Sequence, residues 1–262
     1  MLKNIYSPLS GALAQERVLE MIANNLANLN TTGFKGDRVT FTLLEPEPEK
    51  NYQNPLPPAN YKVEMDQLLW LKGNEMAYVG VADVQRDMQQ GPAIQTHNSL
   101  DLMIEGDGMF QVQTEDGPRY TRNGSFTLSP DGVLTTQSGH PVMGEKGDIV
   151  LRAGDFQIND QGEVYQDKKL VDRIALFRFD SQAGLEREGM NYYYFSGPDE
   201  GLKKVAQVSV RQGYLEGSNV NAIKDLTNMI IAHRSYEAYQ KAVSHYDKMM
   251  DKSSNQLGNV RA

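Results

Sequence analysis

The sequence contains no cysteine among its 262 residues, which excludes disulfide bonds, thiolate nucleophiles and cysteine metal sites. Long hydrophobic runs are also missing, because no apolar stretch approaches the roughly 20 residues that a membrane-spanning helix requires. Positive charge is not in excess either: 26 basic residues against 34 acidic ones leave a net charge of −8. This balance argues against nucleic acid and anionic lipid as partners. We therefore expect neither nucleic acid binding nor an integral membrane protein.

Recognisable catalytic motifs are missing as well. The four histidines do not have the spacing of metal ligands, and the sequence contains no nucleophile elbow and no phosphate-binding loop. Asp101, Glu105 and Asp107 could supply the carboxylate pair of a glycosidase. The alternation around them instead predicts a strand that runs into a Gly-Asp-Gly turn. We expect no enzyme, no cofactor and no metal site, and keep a carbohydrate-binding or carbohydrate-processing β domain as the alternative.

The stretch 5–14 is mildly apolar and ends in small residues, as a signal peptide cleavage site does. Ser7, Pro8 and Ser10 interrupt it, and a helical pattern continues through the supposed cleavage point. We therefore expect no cleaved signal peptide, so that export would require a route that leaves the N-terminus intact.

Apolar residues near the N-terminus recur at three- and four-residue steps, which predicts an amphipathic helix. Gly33 is a natural stop for this helix, and Pro8 falls in an early turn, where proline is least damaging. The apolar stripe consists of Leu2, Ile5, Leu9, Ala12, Leu19, Ile22, Leu26 and Leu29.

The C-terminal stretch predicts a longer helix with a coiled-coil-like seam, because its apolar residues follow a heptad spacing. Ser218 or Asn219 is the predicted N-cap. Tyr and Met side chains in the seam favour irregular packing against several partners over a two-stranded zipper. The seam consists of Met229, Ala232, Tyr236, Tyr239, Val243, Tyr246 and Met250, and a second apolar face of Ile223, Leu226 and Ile230.

Neither terminal helix can bury its apolar stripe alone, because an isolated amphipathic helix is marginal in water. The simplest prediction is that the two helices pack on each other; the alternative is that both dock on the central region. The predicted fold class is α+β, with a discontinuous helical domain formed by the paired ends and a central, mostly antiparallel β domain. The predicted divisions are an N-terminal helix with its motif, an extended linker, a β-rich outer domain and a C-terminal helix, at 1–40, 41–90, 91–217 and 218–262.

The middle of the chain contains two contrasting regions. Residues 45–58 hold five of the 11 prolines and predict an extended connection. From residue 91 onward, turn signals become dense: Asp116-Gly117 predicts a hairpin, and Asn123-Gly124 marks another turn. Short strands at this spacing are typical of antiparallel sandwiches, barrels or curled sheets. Tyr192–Phe195 is predicted to be a strand that contributes to both faces of its sheet.

Four motif-like stretches follow one another along the chain, at 23–28 with 30–35, 100–110, 120–126, and 218–220 with 229–230 and 234–237. In this order they resemble the signatures of bacterial flagellar rod and hook proteins. They cover most of the chain except 42–87, and Met109 replaces an aromatic residue that is usual in the family. Within the family, the chain length and the stretch 139–145 resemble the proximal-rod protein most, with the distal-rod protein second and a hook or junction protein as a further alternative.

The resemblance implies a structural subunit whose terminal helices form the inner layer of an axial tube, with the β-rich region outside. It implies export through the flagellum's own type III apparatus, assembly in the periplasm with copies of itself and other rod proteins, and transmission of torque for motility. Short amides in 24–30 would satisfy backbone groups where the first helix ends. The expected assembly interface comprises Ile5, Leu9, Leu19, Ile22, Asn24, Asn25, Leu26, Asn28, Gly33, Phe34, Ile223, Leu226, Met229, Ile230, Tyr236, Tyr239, Val243, Tyr246 and Met250.

Overall fold

The computed structural model describes residues 6–44, 78–152, 154–179, 184–189, 191–197, 201–205 and 209–259. Two helices lie at the ends of this range, α1 at Tyr6–Ala27 and α2 at Ala222–Asn259, and strands occupy much of the region between them. This arrangement confirms the predicted α+β class. The proline-rich segment 45–58 and Ile5 lie outside the described residues.

The strands are short, as the dense turn signals predicted. Their bounds, in chain order, are β1 Asp37–Leu44, β2 Tyr78–Arg86, β3 Ala93–Gln95, β4 Leu102–Ile104, β5 Met109–Thr114, β6 Gly117–Thr121, β7 Phe126–Leu128, β8 Leu134–Thr136, β9 Phe156–Ile158, β10 Glu163–Gln166, β11 Lys169–Arg173, β12 Leu176–Phe179, β13 Leu185–Glu188, β14 Tyr192–Phe195, β15 Leu202–Lys204, β16 Val210–Gln212 and β17 Tyr214–Glu216.

The largest sheet has six strands in the order β13-β14-β6-β5-β12-β15. A three-stranded sheet has the order β11-β10-β9, and the remaining strands form the pairs β1-β2, β16-β4, β17-β3 and β7-β8. From β3 to β17 the registered neighbours run antiparallel, as predicted for the central region. The β5-β6 hairpin is also confirmed, although its loop is Glu115-Asp116, because Gly117 already pairs with Thr114.

Alternation along the strands places side chains of the six-stranded sheet in two separate cores. On β5, Phe110 and Val112 lie in the larger core, whereas Met109 lies in the smaller one. On β14, Tyr192 packs against the larger core and Tyr193 belongs to the smaller one. The central strands are thus covered on both faces, which confirms the prediction for Tyr192–Phe195.

The β1-β2 pair was not anticipated from the sequence. These strands occupy both ends of the range 41–90, which was predicted to be an extended linker. Phe41 on β1 and Val84 on β2 are exposed apolar residues, at 46% and 49% of their full accessibility. The alternation of Val39, Phe41 and Leu43 with polar residues along β1 is nevertheless a period of two that is typical of a strand, so this signal was available in the sequence.

The chain divides into two compact units, and both are discontinuous in sequence. The first, which we call the helical unit, contains residues 1–24, 37–85 and 223–262. The second, the β-rich unit, contains residues 25–36 and 86–222. The β-rich unit therefore includes a short segment that directly follows most of α1, whereas the sequence predicted a β-rich domain over 91–217 alone.

The helix ends differ in detail from the prediction. The segment after α1 continues in tight turns to Gly33, whose φ is 69°, so the predicted stop lies at the end of these turns rather than of α1 itself. The predicted N-cap, Ser218 or Asn219, is wrong, because α2 begins at Ala222 and both residues lie in the extended segment before it. Within the described ranges, neither helix is long and apolar enough to cross a bilayer.

The β10-β11 hairpin turns through two residues with positive φ, Asp167 at 50° and Lys168 at 60°. Both angles are those of a type I′ turn, in which lysine is poorly suited and glycine is favoured. We expect Lys168→Gly to raise the free energy of unfolding by about 0.5 to 1 kcal/mol, since it removes left-handed strain at some cost in chain entropy. Urea titration would measure the change. Lys169→Gly, at the first residue of β11, is the matched control and should be neutral or destabilising; a gain there as well would argue against the turn explanation.

Candidate assembly interface

The heptad seam of α2 faces inward. Ala232 is buried, and the six larger seam residues from Met229 to Met250 are all half-buried. On α1, Ala12, Ala14 and Ile22 are buried, and Leu19 and Leu26 are half-buried. The predicted apolar stripes of both helices are therefore covered to a large extent in a single chain.

The two helices touch where Gly11 of α1 meets Tyr239 of α2. A Cβ atom placed on Gly11 would lie 2.6 Å from both Cε1 and Cζ of the Tyr239 ring, closer than real Cβ contacts. The glycine therefore leaves room for the aromatic ring, and the buried Ala12 next to it keeps this part of α1 narrow. This contact brings a seam residue of α2 against α1.

A second apolar face of α2 points to solvent near the start of the helix. Ile223 keeps 80% of its accessibility, Leu226 51% and Ile230 56%. Ile231, which lies outside the predicted interface, keeps 58%. Such a row of aliphatic side chains on a charged helix is typical of an interaction surface. We call these four residues the outer face of α2.

The first helix also has an exposed apolar pair. Leu9 and Leu13 are 41% and 37% exposed and lie four residues apart, so they share one side of α1. Leu9 belongs to the predicted interface, whereas Leu13 does not. Asn24 is also exposed. We call Leu9 and Leu13 the outer face of α1.

The β-rich unit contains a buried ionic cluster, which we call the motif junction. Lys35 Nζ donates to Glu216 Oε1 over 2.6 Å, and Arg122 Nε donates to Glu216 Oε2 over 2.5 Å. All three side chains are at most 4% exposed. Two cations thus share one carboxylate in a place where water cannot compensate for a missing partner.

The remaining donors of the two cations bind backbone carbonyls. Lys35 Nζ donates to Gln89 O at 2.7 Å. Arg122 donates to Gly106 O at 2.6 Å, to Ile104 O at 3.1 Å and to Gly108 O. Arg122 therefore binds the Gly-Asp-Gly turn, so that the stretches 100–110 and 120–126 are joined through one side chain.

Burial lowers the pKa of Lys35, and the neighbouring carboxylate of Glu216 opposes this shift. Arg122 adds to the lowering, while Asp87 acts in the same direction as Glu216. The cluster therefore depends on its carboxylate, because without Glu216 both remaining charges would destabilise the folded state.

Glycine allows the backbones to approach closely at this junction. A Cβ on Gly33 would lie 2.5 Å from the carbonyl carbon of Arg122, and the φ of 69° at Gly33 is itself one that glycine favours. A Cβ on Gly124 would lie 1.6 Å from the carbonyl oxygen of Leu102. Any larger residue at either position would push the joined segments apart.

Asn219 links the loop after α1 to the segment before β3, instead of capping α2. Its Oδ1 accepts a hydrogen bond from Gly36 N at 2.8 Å. Its Nδ2 donates to Asp87 O at 2.7 Å and to Gln89 O at 3.0 Å. The side chain is fully used by these contacts, which explains why the N-cap prediction failed.

Other residues of the predicted interface also lie in this junction. Phe34 is buried, and the Arg187 guanidinium lies 4.4 Å from the centre of its ring while donating to Lys35 O at 2.7 Å. Asn25 and Asn28 are buried, and Asn28 Oδ1 accepts from Thr31 Oγ1 at 3.2 Å. The Asn28 amide thus binds a neighbouring side chain, and satisfaction of backbone groups by the asparagine-rich segment stays a prediction.

The residues considered for catalysis do not converge. Asp101 is buried and accepts a hydrogen bond from Asn98, whereas Glu105 is exposed and pairs with Arg211 at 3.2 Å. Asp107 is exposed in the turn that Arg122 binds. Within the part of the chain that the structure describes, no group of three His, Cys, Asp or Glu residues could hold a metal ion.

The cluster was not predicted as a unit. Lys35 and Arg122 lie in stretches that carried the family resemblance, but Glu216 lies two residues before the last of these. Lys35 and Glu216 each stand next to a glycine and Arg122 directly follows β6, but none of these positions by itself indicates burial. The pairing itself required the fold, because the partners are distant in sequence.

Replacing the shared carboxylate should be severe. We expect Glu216→Gln to lower the free energy of unfolding by about 3 to 5 kcal/mol, since it leaves two buried cations without an anion. The matched control is Glu163→Gln, which removes the partner of Arg173 from a pair whose side chains are 16% and 36% exposed. That change should cost much less, since the pair is partly exposed and water screens it. Urea unfolding followed by circular dichroism would compare them, and equal losses would contradict the assigned role of the junction.

Three family models match the chain. Their descriptions are "Flagella basal body rod protein" over residues 5–35, "Flagellar hook protein FlgE/F/G D1 domain" over 103–166, and "Flagellar basal body rod FlgEFG protein C-terminal" over 211–257. Each matched region contributes one member of the ionic cluster: Lys35, Arg122 and Glu216 respectively. The regions that carry the family signal are therefore the regions that meet at the motif junction.

Relatives match over nearly the whole length. The chain is 33% identical over 259 residues to the flagellar basal-body rod protein FlgF of Caulobacter vibrioides, with 98% of each chain covered. It is 34% identical over 262 residues to the flagellar basal-body rod protein FlgG of Agrobacterium fabrum, with 95% of this chain and 97% of the relative covered. It is 29% identical to the flagellar hook-basal body complex protein FlhO of Bacillus subtilis, over 276 residues. From this similarity along its full length, the chain belongs to the family of flagellar basal-body rod proteins.

Proposed function

We propose that this structural rod subunit polymerises through its two terminal helices into an axial tube that transmits torque, and that it works without catalysis. The observation that carries the proposal is the exposure of the outer face of α2, where the most exposed residue, Ile223, keeps 80% of its accessibility. Aliphatic side chains arranged in this way gain free energy when a neighbouring molecule covers them. The gain is about 1.5 to 3 kcal/mol for each side chain that becomes fully buried.

The two apolar faces of α2 have different roles in this proposal. The half-buried seam around Tyr239 pairs with α1 of the same chain in a coiled-coil-like manner, as the Gly11 contact supports. The outer face of α2 and the outer face of α1 contact neighbouring subunits. Because these two surfaces differ, the contact is heterologous, and heterologous contacts that do not close into a ring generate helical polymers.

The partners follow from this arrangement. Copies of the chain and other rod proteins cover the outer faces, in a rod that lies in the periplasm. The flagellar export apparatus is the partner during secretion. Relatives named FlgF and FlgG match to a similar degree, and the length and the stretch 139–145 favour the proximal over the distal position. A hook or junction position is the alternative within the same family.

Cross-linking would test the pairing of the helices. Because the chain has no cysteine, a double variant with Gly11→Cys and Tyr239→Cys carries only the two introduced thiols. We expect a short bis-maleimide to join them within one chain, seen as a faster band on a denaturing gel. Leu13→Cys with Tyr239→Cys is the control, since Leu13 lies on the outer face of α1. Equal cross-linking of both pairs, or of neither, would contradict a fixed pairing.

A charge on the outer face of α2 should block assembly without unfolding the subunit. We expect Ile230→Arg to lower incorporation into rods at least tenfold and to abolish swimming, because the side chain is 56% exposed in the single chain but would be covered in the polymer. Motility and purified basal bodies would be examined in a bacterium that lacks its own copy of the gene. Leu170→Arg is the matched control, since Leu170 is 51% exposed on the β10-β11 hairpin. Normal assembly by the Ile230 variant would rule out this interface.

A further inference from the structure

The motif junction joins segments that are far apart in the chain. The hydrogen bond between Lys35 and Glu216 spans 181 residues, and that between Arg122 and Glu216 spans 94. By contrast, Arg122 reaches the carbonyl of Gly106 across only 16 residues. The contacts of Arg122 with the Gly-Asp-Gly turn are therefore local, whereas every contact to Glu216 closes a long loop.

Glu216 is the shared hydrogen-bond acceptor in these long-range contacts. Besides Lys35 and Arg122, its carboxylate accepts a hydrogen bond from Gly91 N at 2.9 Å, and its carbonyl accepts one from Gly33 N at 2.7 Å. The loop after α1, the segment before β3 and the hairpin that carries Arg122 are thus held by one residue. That residue is the last of β17, shortly before α2 begins.

The buried charges determine what happens before Glu216 is in place. Before Glu216 binds them, Lys35 and Arg122 would be two unpaired cations in a site where each side chain is at most 4% exposed. Both cations therefore remain hydrated until the carboxylate arrives, since burial of an unpaired charge is strongly unfavourable. Hydration of Lys35 keeps the loop after α1 away from its final position.

We propose that Glu216 is a latch that closes the motif junction last during folding, and that fixes the loop after α1 and the segment before α2 in a single step. Sequence separation sets the order, because the entropy of closing a loop must be lost before a distant contact contributes. The β5-β6 hairpin needs no such closure and forms before the latch. For a subunit that assembles through helices at both ends, the latch makes the bases of both helices ordered only in a complete chain.

Pulse-labelling hydrogen exchange during refolding of the full-length wild-type protein tests this order directly. We expect the amides of Gly33 and Gly91, which bind Glu216, to become protected together and at least threefold more slowly than the amides within the β5-β6 ladder. Protection of Gly33 and Gly91 as early as the β5-β6 amides would overturn the proposal. Protection of these two amides at different rates would also overturn it, because a single latch fixes both.

Folding kinetics of the full-length Glu216→Gln variant supply an independent test. We expect unfolding to accelerate at least tenfold while refolding changes less than twofold, which corresponds to a φ-value below about 0.3. The matched control is Val112→Ala in the β5-β6 hairpin, which should slow refolding. A φ-value for Glu216 above about 0.3 would mean that its contacts are already formed in part in the transition state, which would contradict the proposal. If the variant does not fold, the wild-type labelling experiment still decides whether the contacts of Glu216 form after the β5-β6 hairpin or as early as it does.

Discussion

The β-rich unit depends on the ion pairs that the carboxylate of Glu216 forms with Lys35 and Arg122. This carboxylate pairs with two buried cations that would otherwise oppose folding, and those cations in turn hold the carbonyls of the Gly-Asp-Gly turn and of Gln89. A buried ionic cluster of this kind contributes less to stability than an apolar core of equal volume would. What it provides is a requirement that three distant segments meet in one arrangement, since any other arrangement leaves a charge unpaired.

This requirement gives physical meaning to the stretches that resemble the flagellar family. In sequence they are four separate patterns of asparagine, glycine and single charges. In the fold, Gly33 and Gly124 allow backbones to approach, Asn219 binds three backbone groups, and Glu216 pairs with both cations of the junction. Parts of all four patterns therefore meet in one site, whereas 229–230 and 234–237 lie on α2. The helical surfaces that we propose for assembly belong to the other unit.

Features that repeat at short range could be predicted from the sequence. The seam from Met229 to Met250, the β5-β6 hairpin and the strand at Tyr192–Phe195 each follow from a local periodicity or turn signal. Features that depend on distant partners could not. The N-cap at Ser218 or Asn219 failed because Asn219 binds the loop after α1, and Glu216 was missed because its partners lie 94 and 181 residues away. The β1-β2 pair was missed because its two strands are distant in sequence, although Val39, Phe41 and Leu43 alternate with polar residues along β1.

The outer face of α2 has a consequence for the colloidal behaviour of the single subunit. A solvent-exposed row of aliphatic side chains attracts similar apolar surfaces at short range. The net charge of −8 makes copies of the subunit repel one another over about 10 Å in 0.1 M salt. Short-range attraction and long-range repulsion thus act on the same molecule. The repulsion weakens as salt is added, but the attraction does not. The ionic strength of the surroundings therefore acts as a control on when dispersed subunits begin to associate.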